Sequence, residues 1–196
     1  MGFIRNIFAL IGVIAVVAVV YGYQKFSGDI EAFEGFDANA KDTYMSMWQK
    51  LKETGNSADA TVWIVPLEEG VSVEDAEEAM KIIANDRNIM HVGEQPLSQQ
   101  VELQTGEDQR FLKIFQFCDP MTAMKMVEYS DAFSAYLPCR IAMVEGKDGQ
   151  IRLFSLNMDL MIHGGKELPP ELKAEAEAVK ETIQQIMASG AAGDFF

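Results

Sequence analysis

From Asn6 to Gln24, in "NIFALIGVIAVVAVVYGYQ", the chain carries no ionised side chain. At helical rise these 19 residues reach roughly 28 Å, about the hydrocarbon thickness of a bilayer. A run of this length and polarity constrains everything after it: one transmembrane helix, residues 1–25, precedes whatever folds. Arg5 ahead of the run favours an N-terminus in the cytoplasm and a chain that continues on the periplasmic or extracellular side of the inner or plasma membrane, while Lys25 beyond it opposes that reading slightly. Tyr21 and Tyr23 fall where an interfacial aromatic belt belongs. A cleaved signal peptide is the competing reading. No small-x-small cleavage site is apparent, and the tyrosines occupy its place, so an uncleaved anchor is expected.

The balance of charge is acidic, with 16 basic against 30 acidic side chains and a net charge of −14. Only Arg5 and Lys25 of the basic residues lie in the anchor, so the remainder is more acidic still. Such a field repels phosphate backbones and anionic headgroups, and no basic stripe offsets it. Nucleic acid is therefore excluded as a partner, and the membrane is reached through the apolar helix alone.

Residues 26–60 read as a stalk with one helical stretch. Asp37 is placed to cap it, and Tyr44, Met47, Trp48 and Leu51 recur at i, i+3, i+4 and i+7. This amphipathic helix either folds back onto the domain or binds a partner or membrane surface, and its mixed charges argue against an anionic membrane.

The compact domain, residues 61–196, opens with the β-branched and aromatic "TVWIVPL", a strand. Ser72 starts a helix as an S-x-x-D cap, with Val73, Ala76, Met80 and Ile83 on its buried face. Leu97 to Cys118 reads as two strands around "TGEDQ". Asp119 and Pro120 supply a cap and a first-turn proline for a helix to about Ser130. "CRIAMVE", "GKDG" and "QIRLFSL" form a hairpin. Pro169 and Pro170 open the last helix, which presents Leu172, Ala176, Val179, Ile183 and Ile186 on one face and stops at Gly190. The resulting order, βαββαββα, fits an α+β domain with helices packed on an antiparallel or mixed sheet.

Two thiols, 21 positions apart, carry most of the chemical interest: Cys118 ends one strand and Cys139 begins another. A simple crossover leaves them at opposite ends of the sheet, but residues 131–138 are long enough to bring the chain back. Buried structural thiols, a disulfide, and a paired site for a metal or sulfur species all remain open. Pro138 restricts the chain entering Cys139, and Cys118 precedes a helix N-terminus, where a thiolate is favoured. The expectation is that the two thiols meet at one site. Arg140 is expected on the opposite side of its strand from Cys139, paired with Glu145 or Asp119, or else binding an anion. His163 lies near Met158 and Met161, a set whose imidazole and thioethers suit copper or haem iron, although a lone histidine before a glycine pair is more often a hydrogen-bonded loop residue. His91 is also isolated. The absence of C-x-x-C and C-x-x-C-H excludes a thioredoxin-type motif and covalent c-type haem. Nothing in the sequence names a cofactor.

"FCDP", "LPCRIAMVEGKDGQIRLFSLN" and "MIHGGKELPPEL" together resemble the DUF302 family of α+β domains, over roughly residues 61–193. The family pattern places Cys-Asn-Pro before the second helix and Leu-Pro-Cys at the following strand. Cys118, Asp119 and Pro120 match the first with aspartate for asparagine, and Leu137, Pro138 and Cys139 match the second. The resemblance implies a small homodimer and no settled chemistry. The reading that follows is a membrane-anchored, exterior-facing accessory domain that binds a protein partner or small ligand and is not an enzyme. The alternative is a thiol-based redox protein, or one handling a metal or sulfur species, that uses Cys118 and Cys139.

Overall fold

A computed structural model describes residues 2–194. The apolar run lies within a single helix, α1 (Gly2–Glu34), which is long and apolar enough to cross a membrane and has none of its apolar stretch buried against the rest of the chain. A short joint leads to α2 (Ala40–Thr54) and the single turn α3 (Ser57–Ala60). The domain then runs β1 (Val62–Pro66), α4 (Val73–Asp86), β2 (Met90–Gln95), α5 (Leu97–Thr105), β3 (Leu112–Cys118) and α6 (Pro120–Tyr129). A 3-10 segment (Asp131–Tyr136) leads to β4 (Cys139–Glu145), β5 (Ile151–Leu156), α7 (Asp159–His163) and α8 (Pro170–Ala192).

All strand pairs are antiparallel, in the order β1-β5-β4-β3-β2. The α+β class is therefore as expected, with two differences in the elements. The strand expected near Leu97 is α5, closed by Gly106 in the left-handed conformation at φ 73°. Its place in the sheet is taken by β2, whose register slips between His91 and Gly93. A strand gains stability from burying one face, and here Val101 and Leu103, which alternate with polar neighbours, are exposed.

Local signals elsewhere held. Ser72 and Asp75 form a reciprocal capping box on α4, satisfying two of the orphan amides of the first turn. Pro170 sits in the first turn of α8. That helix does not stop at Gly190; it runs on to Ala192 and is capped by Gly193 at φ 63°. Gly190 instead allows a close approach, since a Cβ there would lie 2.5 Å from Met80 Cγ on α4.

Strand alternation divides the sheet cleanly. Phe115, Phe117, Ile141, Met143 and Leu153 point to one face and are fully buried with Met80 of α4 and Ile183, Ile186 and Met187 of α8. The other face carries Ile114, Ala142 and Phe154 half-buried, and Ile64 and Leu156 exposed.

The stalk helix folds back onto the domain. Its contact face is Ala40 and Thr43, both buried, with Met47 and Leu51 half-buried, while Trp48 is 53% exposed. The Tyr44 hydroxyl donates to the Gly164 carbonyl at 2.6 Å, and the Asp37 amide donates to the Gly165 carbonyl at 2.8 Å. Asp37 is not the N-cap; Asn39 holds that position. The Asp37 carboxylate is instead buried in an ion cluster, with Oδ1 3.2 Å from His163 Nδ1 and Oδ2 2.5 Å from Lys173 Nζ. Burial alone pushes its pKa up, but Lys173, the Asn39 amide and His163 outweigh this and hold the carboxyl below its usual range.

A carboxyl whose pKa is depressed by folding contributes stability above its unfolded value, about 3.9, and loses it as pH falls through the folded value. Docking of α2 is thus expected to persist at pH 5 and to weaken below about pH 4, read by hydrogen exchange across residues 40–54. Asp37→Ala should weaken this docking by about 3 kcal/mol, at the low end for a broken buried pair because Lys173 keeps some contact with water. Unchanged exchange in the variant would show that the cluster does not hold α2.

Candidate functional site

The ends of β3 and β4 meet beside α6. In the ladder Phe117 stands opposite Cys139, so Cys118 is one position beyond that rung, and Met90 of β2 faces it on the other side. Alternation directs Cys139 to the helix-covered face and Cys118 to the face of Ile114 and Gln116. Both nevertheless border one cavity of about 350 Å³ at this end of the sheet. Its wall draws on both faces: Ser155 and Cys139 from one, Ile114, Ala142 and Phe154 from the other. The segment from α6 through the 3-10 turn contributes Met126, Phe133, Tyr136 and Leu137, while Met158 and Met161 close the wall together with Ala176 and Val179 of α8.

The chain reaches this arrangement by simple means. Asp119 caps α6: its Oδ1 accepts from the Met121 and Thr122 amides at 3.0 and 3.4 Å, and its Oδ2 accepts from the Thr122 hydroxyl at 2.8 Å. Pro120 follows in the first turn, where its missing donor is not needed. The 3-10 turn then carries the chain back, Leu137 is extended at φ −99° and ψ 148°, the Leu137–Pro138 peptide is cis, and β4 begins. Residues 131–138 thus bring the chain back to the end of β3, and both thiols border the one cavity.

Arg140 stands opposite Gln116 and is exposed on the cavity rim. The expected ion pair with Glu145 or Asp119 is not formed. Glu145 Oε2 accepts from the Phe111 amide at 3.1 Å, and Asp119 is turned inward onto its helix. Among the described residues the Arg140 side chain has no hydrogen bond and no ion pair, although its charge is felt at Cys139.

His163 belongs elsewhere. It ends α7, buried, with Nδ1 on Asp37 and Nε2 2.7 Å from Glu177 Oε1. Both ring nitrogens are engaged, so neither is free to ligate, and His163 is apart from the cavity that Met158 and Met161 line. The His163–Met158–Met161 set is not assembled. Among the described residues no group of three or more His, Cys, Asp and Glu is placed to hold a metal. His91 lies in β2 beside Phe117, with ring centroids 5.4 Å apart. Met126, Phe133 and Tyr136 were not anticipated as wall residues. The signal was present in "DAFSAY", where two aromatics three apart share one side of a 3-10 turn.

A family model described as "Domain of unknown function DUF302" matches residues 63–190. The chain belongs to the DUF302 family. An uncharacterised protein of Aquifex aeolicus (strain VF5) is 25% identical over 124 residues, covering 60% of this chain and 79% of that one. The crystal structure of an uncharacterised conserved DUF302 protein from Bacillus stearothermophilus superposes with a TM-score of 0.52 at 12% identity, covering 66% of this chain and 97% of the other. At that identity the likeness concerns the fold.

In this DUF302 domain the expected thiolate at Cys118 does not arise. Burial raises its pKa, and the Asp119 carboxylate raises it further. The amides that would stabilise a thiolate are taken by the same carboxylate. Burial also pushes Cys139 up to about 11, with Cys118 adding to the effect. Both cysteines are free thiols. At neutral pH both thiols are therefore neutral, in a sulfur-rich apolar cavity whose charged wall groups are Arg140 at the rim and the capping carboxylate of Asp119.

Since the thiolate is the reactive form, iodoacetamide at pH 7 should alkylate both thiols more slowly than an unperturbed cysteine. Reaction at Cys139 should rise only as pH approaches 11. Asp119→Asn keeps a good N-cap but removes the neighbouring charge, so it should speed alkylation of Cys118. Quantitative mass spectrometry of the two peptides measures both. A fast reaction at Cys118 in the parent protein would overturn this assignment.

Proposed function

We propose that this protein is a membrane-tethered binding domain, not an enzyme, whose ligand is a small, largely apolar molecule held in the cavity at the end of the sheet. The observation that carries the reading is the cavity itself. Its volume, about 350 Å³, lies within the range of about 300–1,000 Å³ common to small-molecule sites. Its wall is mostly aliphatic, aromatic and thioether, with a few polar groups, among them Asp119, Thr122, Arg140 and Ser155, the usual composition of such sites. Three methionines, Met126, Met158 and Met161, give the wall adaptable, polarisable surface. The N-terminal helix would keep the cavity near a bilayer, from which apolar molecules are supplied. Arg5 before the apolar run supports a domain on the periplasmic or extracellular side.

A thiol-redox function is the second reading, favoured by the adjacency of Cys118 and Cys139 at one cavity. The raised pKa of both thiols weighs against it, because exchange and soft-metal capture both proceed through thiolate.

The test is photo-crosslinking of the full chain in nanodiscs with a diazirine-bearing decanol. Labelling should concentrate between Cys118 and Ala142 and around Met158–Met161. Ala123→Trp, which places an indole in the cavity, should reduce that labelling by about tenfold, the equivalent of about 1.4 kcal/mol. Diffuse labelling that the tryptophan leaves unchanged would sink the proposal.

A further inference from the structure

The cavity has a chemical polarity that narrows its ligand further. Its wall contains one basic side chain, Arg140, and one acidic side chain, Asp119. Asp119 is fully engaged in capping α6. Arg140 is without a carboxylate partner among the described residues, in a chain of net charge −14 with 30 acidic side chains available to pair with it. An unpaired guanidinium at the rim of an apolar cavity is a built-in half of an ion pair.

The shape agrees. Along β4 Arg140 comes first and Ala142 follows two positions on, about 7 Å at strand rise. Ala142 stands between Ile114 of β3 and Phe154 of β5, so this apolar part of the wall lies to one side of Arg140 and Cys118 to the other. A ligand that fills this space presents a slender apolar body to Ile114, Ala142 and Phe154 and its head to Arg140. The geometry points to a single-chain amphiphile with a monoanionic carboxylate head, a fatty acid in chemical class, as the occupant. This inference rests on the apolar-ligand reading above.

Charge restricts the head group. A guanidinium presents parallel N–H donors that match a carboxylate in bidentate fashion. A dianionic phosphate would meet one cation, the Asp119 carboxylate nearby and an acidic protein surface. Among the described residues Arg140 is the one guanidinium on the wall, so one negative charge is what the site neutralises. The neutral thiols Cys118 and Cys139 add no charge, and a second acyl chain would not fit a space of about 350 Å³ at the small end of ligand sites.

The experiment compares two probes of equal chain length on the full protein in zwitterionic nanodiscs at pH 7: a diazirine-bearing decanoic acid and the matching decanol. In the parent protein the acid should label the segment from Cys118 to Ala142 at about tenfold lower concentration than the alcohol, which corresponds to about 1.4 kcal/mol. Arg140→Gln should remove that preference and leave alcohol labelling unchanged, which also reports that the variant is folded. Arg140→Lys should restore part of it. Equal labelling by acid and alcohol, with no effect of Arg140→Gln, would overturn the carboxylate assignment while the apolar cavity reading stands. Absence of cavity labelling by either probe would overturn both.

Discussion

The seam between the sheet and α4 and α8 holds the domain together. Phe115, Phe117, Ile141, Met143 and Leu153 are fully buried on one face of the sheet, against Met80, Ile183, Ile186 and Met187. Each such side chain gains about 1.5–3 kcal/mol by leaving water, so their sum dwarfs any surface ion pair. The seam also fixes register: a slip of one residue in β3 or β4 would turn Phe117 and Ile141 outward and bring Gln116 and Arg140 into the core. The position of Cys139 opposite Phe117, and of Cys118 one step beyond, follows from that single constraint.

The site is a by-product of how the seam ends. Core strands need long apolar runs, but β3 and β4 stop where α6 and the 3-10 turn must pass. Packing is then left to side chains of several shapes: methionines, aromatics and two thiols. Methionine fills irregular space because its chain is unbranched and soft, which suits a region where α6, α7 and α8 meet the sheet end without a single packing face. The apolar surroundings in turn suppress ionisation of Cys118 and Cys139, so the same packing that sets both thiols in one cavity wall keeps them neutral.

Much of this was legible in the sequence, and the boundary of legibility has physical causes. The capping box at Ser72, the Asp119–Pro120 start of α6 and the hairpin around "GKDG" are encoded within a few residues, and each appeared where expected. Strand β2 was hidden because its register slips between His91 and Gly93, which interrupts the period-two signal. The strand expected near Leu97 is instead a helix whose Val101 and Leu103 face solvent, so these apolar residues recorded no burial. That Cys118 and Cys139 border one cavity depended on the path of residues 131–138, which composition leaves undetermined. The partnership of Asp37 with His163 spans 126 positions, and no local pattern can report it.

The length of α1 has a mechanical consequence. A continuous helix of 33 residues is about 50 Å long, while a bilayer's hydrocarbon core takes up about 30 Å. A rod on the order of 20 Å therefore remains outside the apolar layer if α1 spans it upright, and it meets α2 through a joint of a few residues clamped by the buried Asp37 carboxylate. The domain is then carried as a head on a stiff post, held at a set height above the lipid. Its cavity would sample molecules that have left the hydrocarbon and crossed the headgroups, not those still dissolved in it.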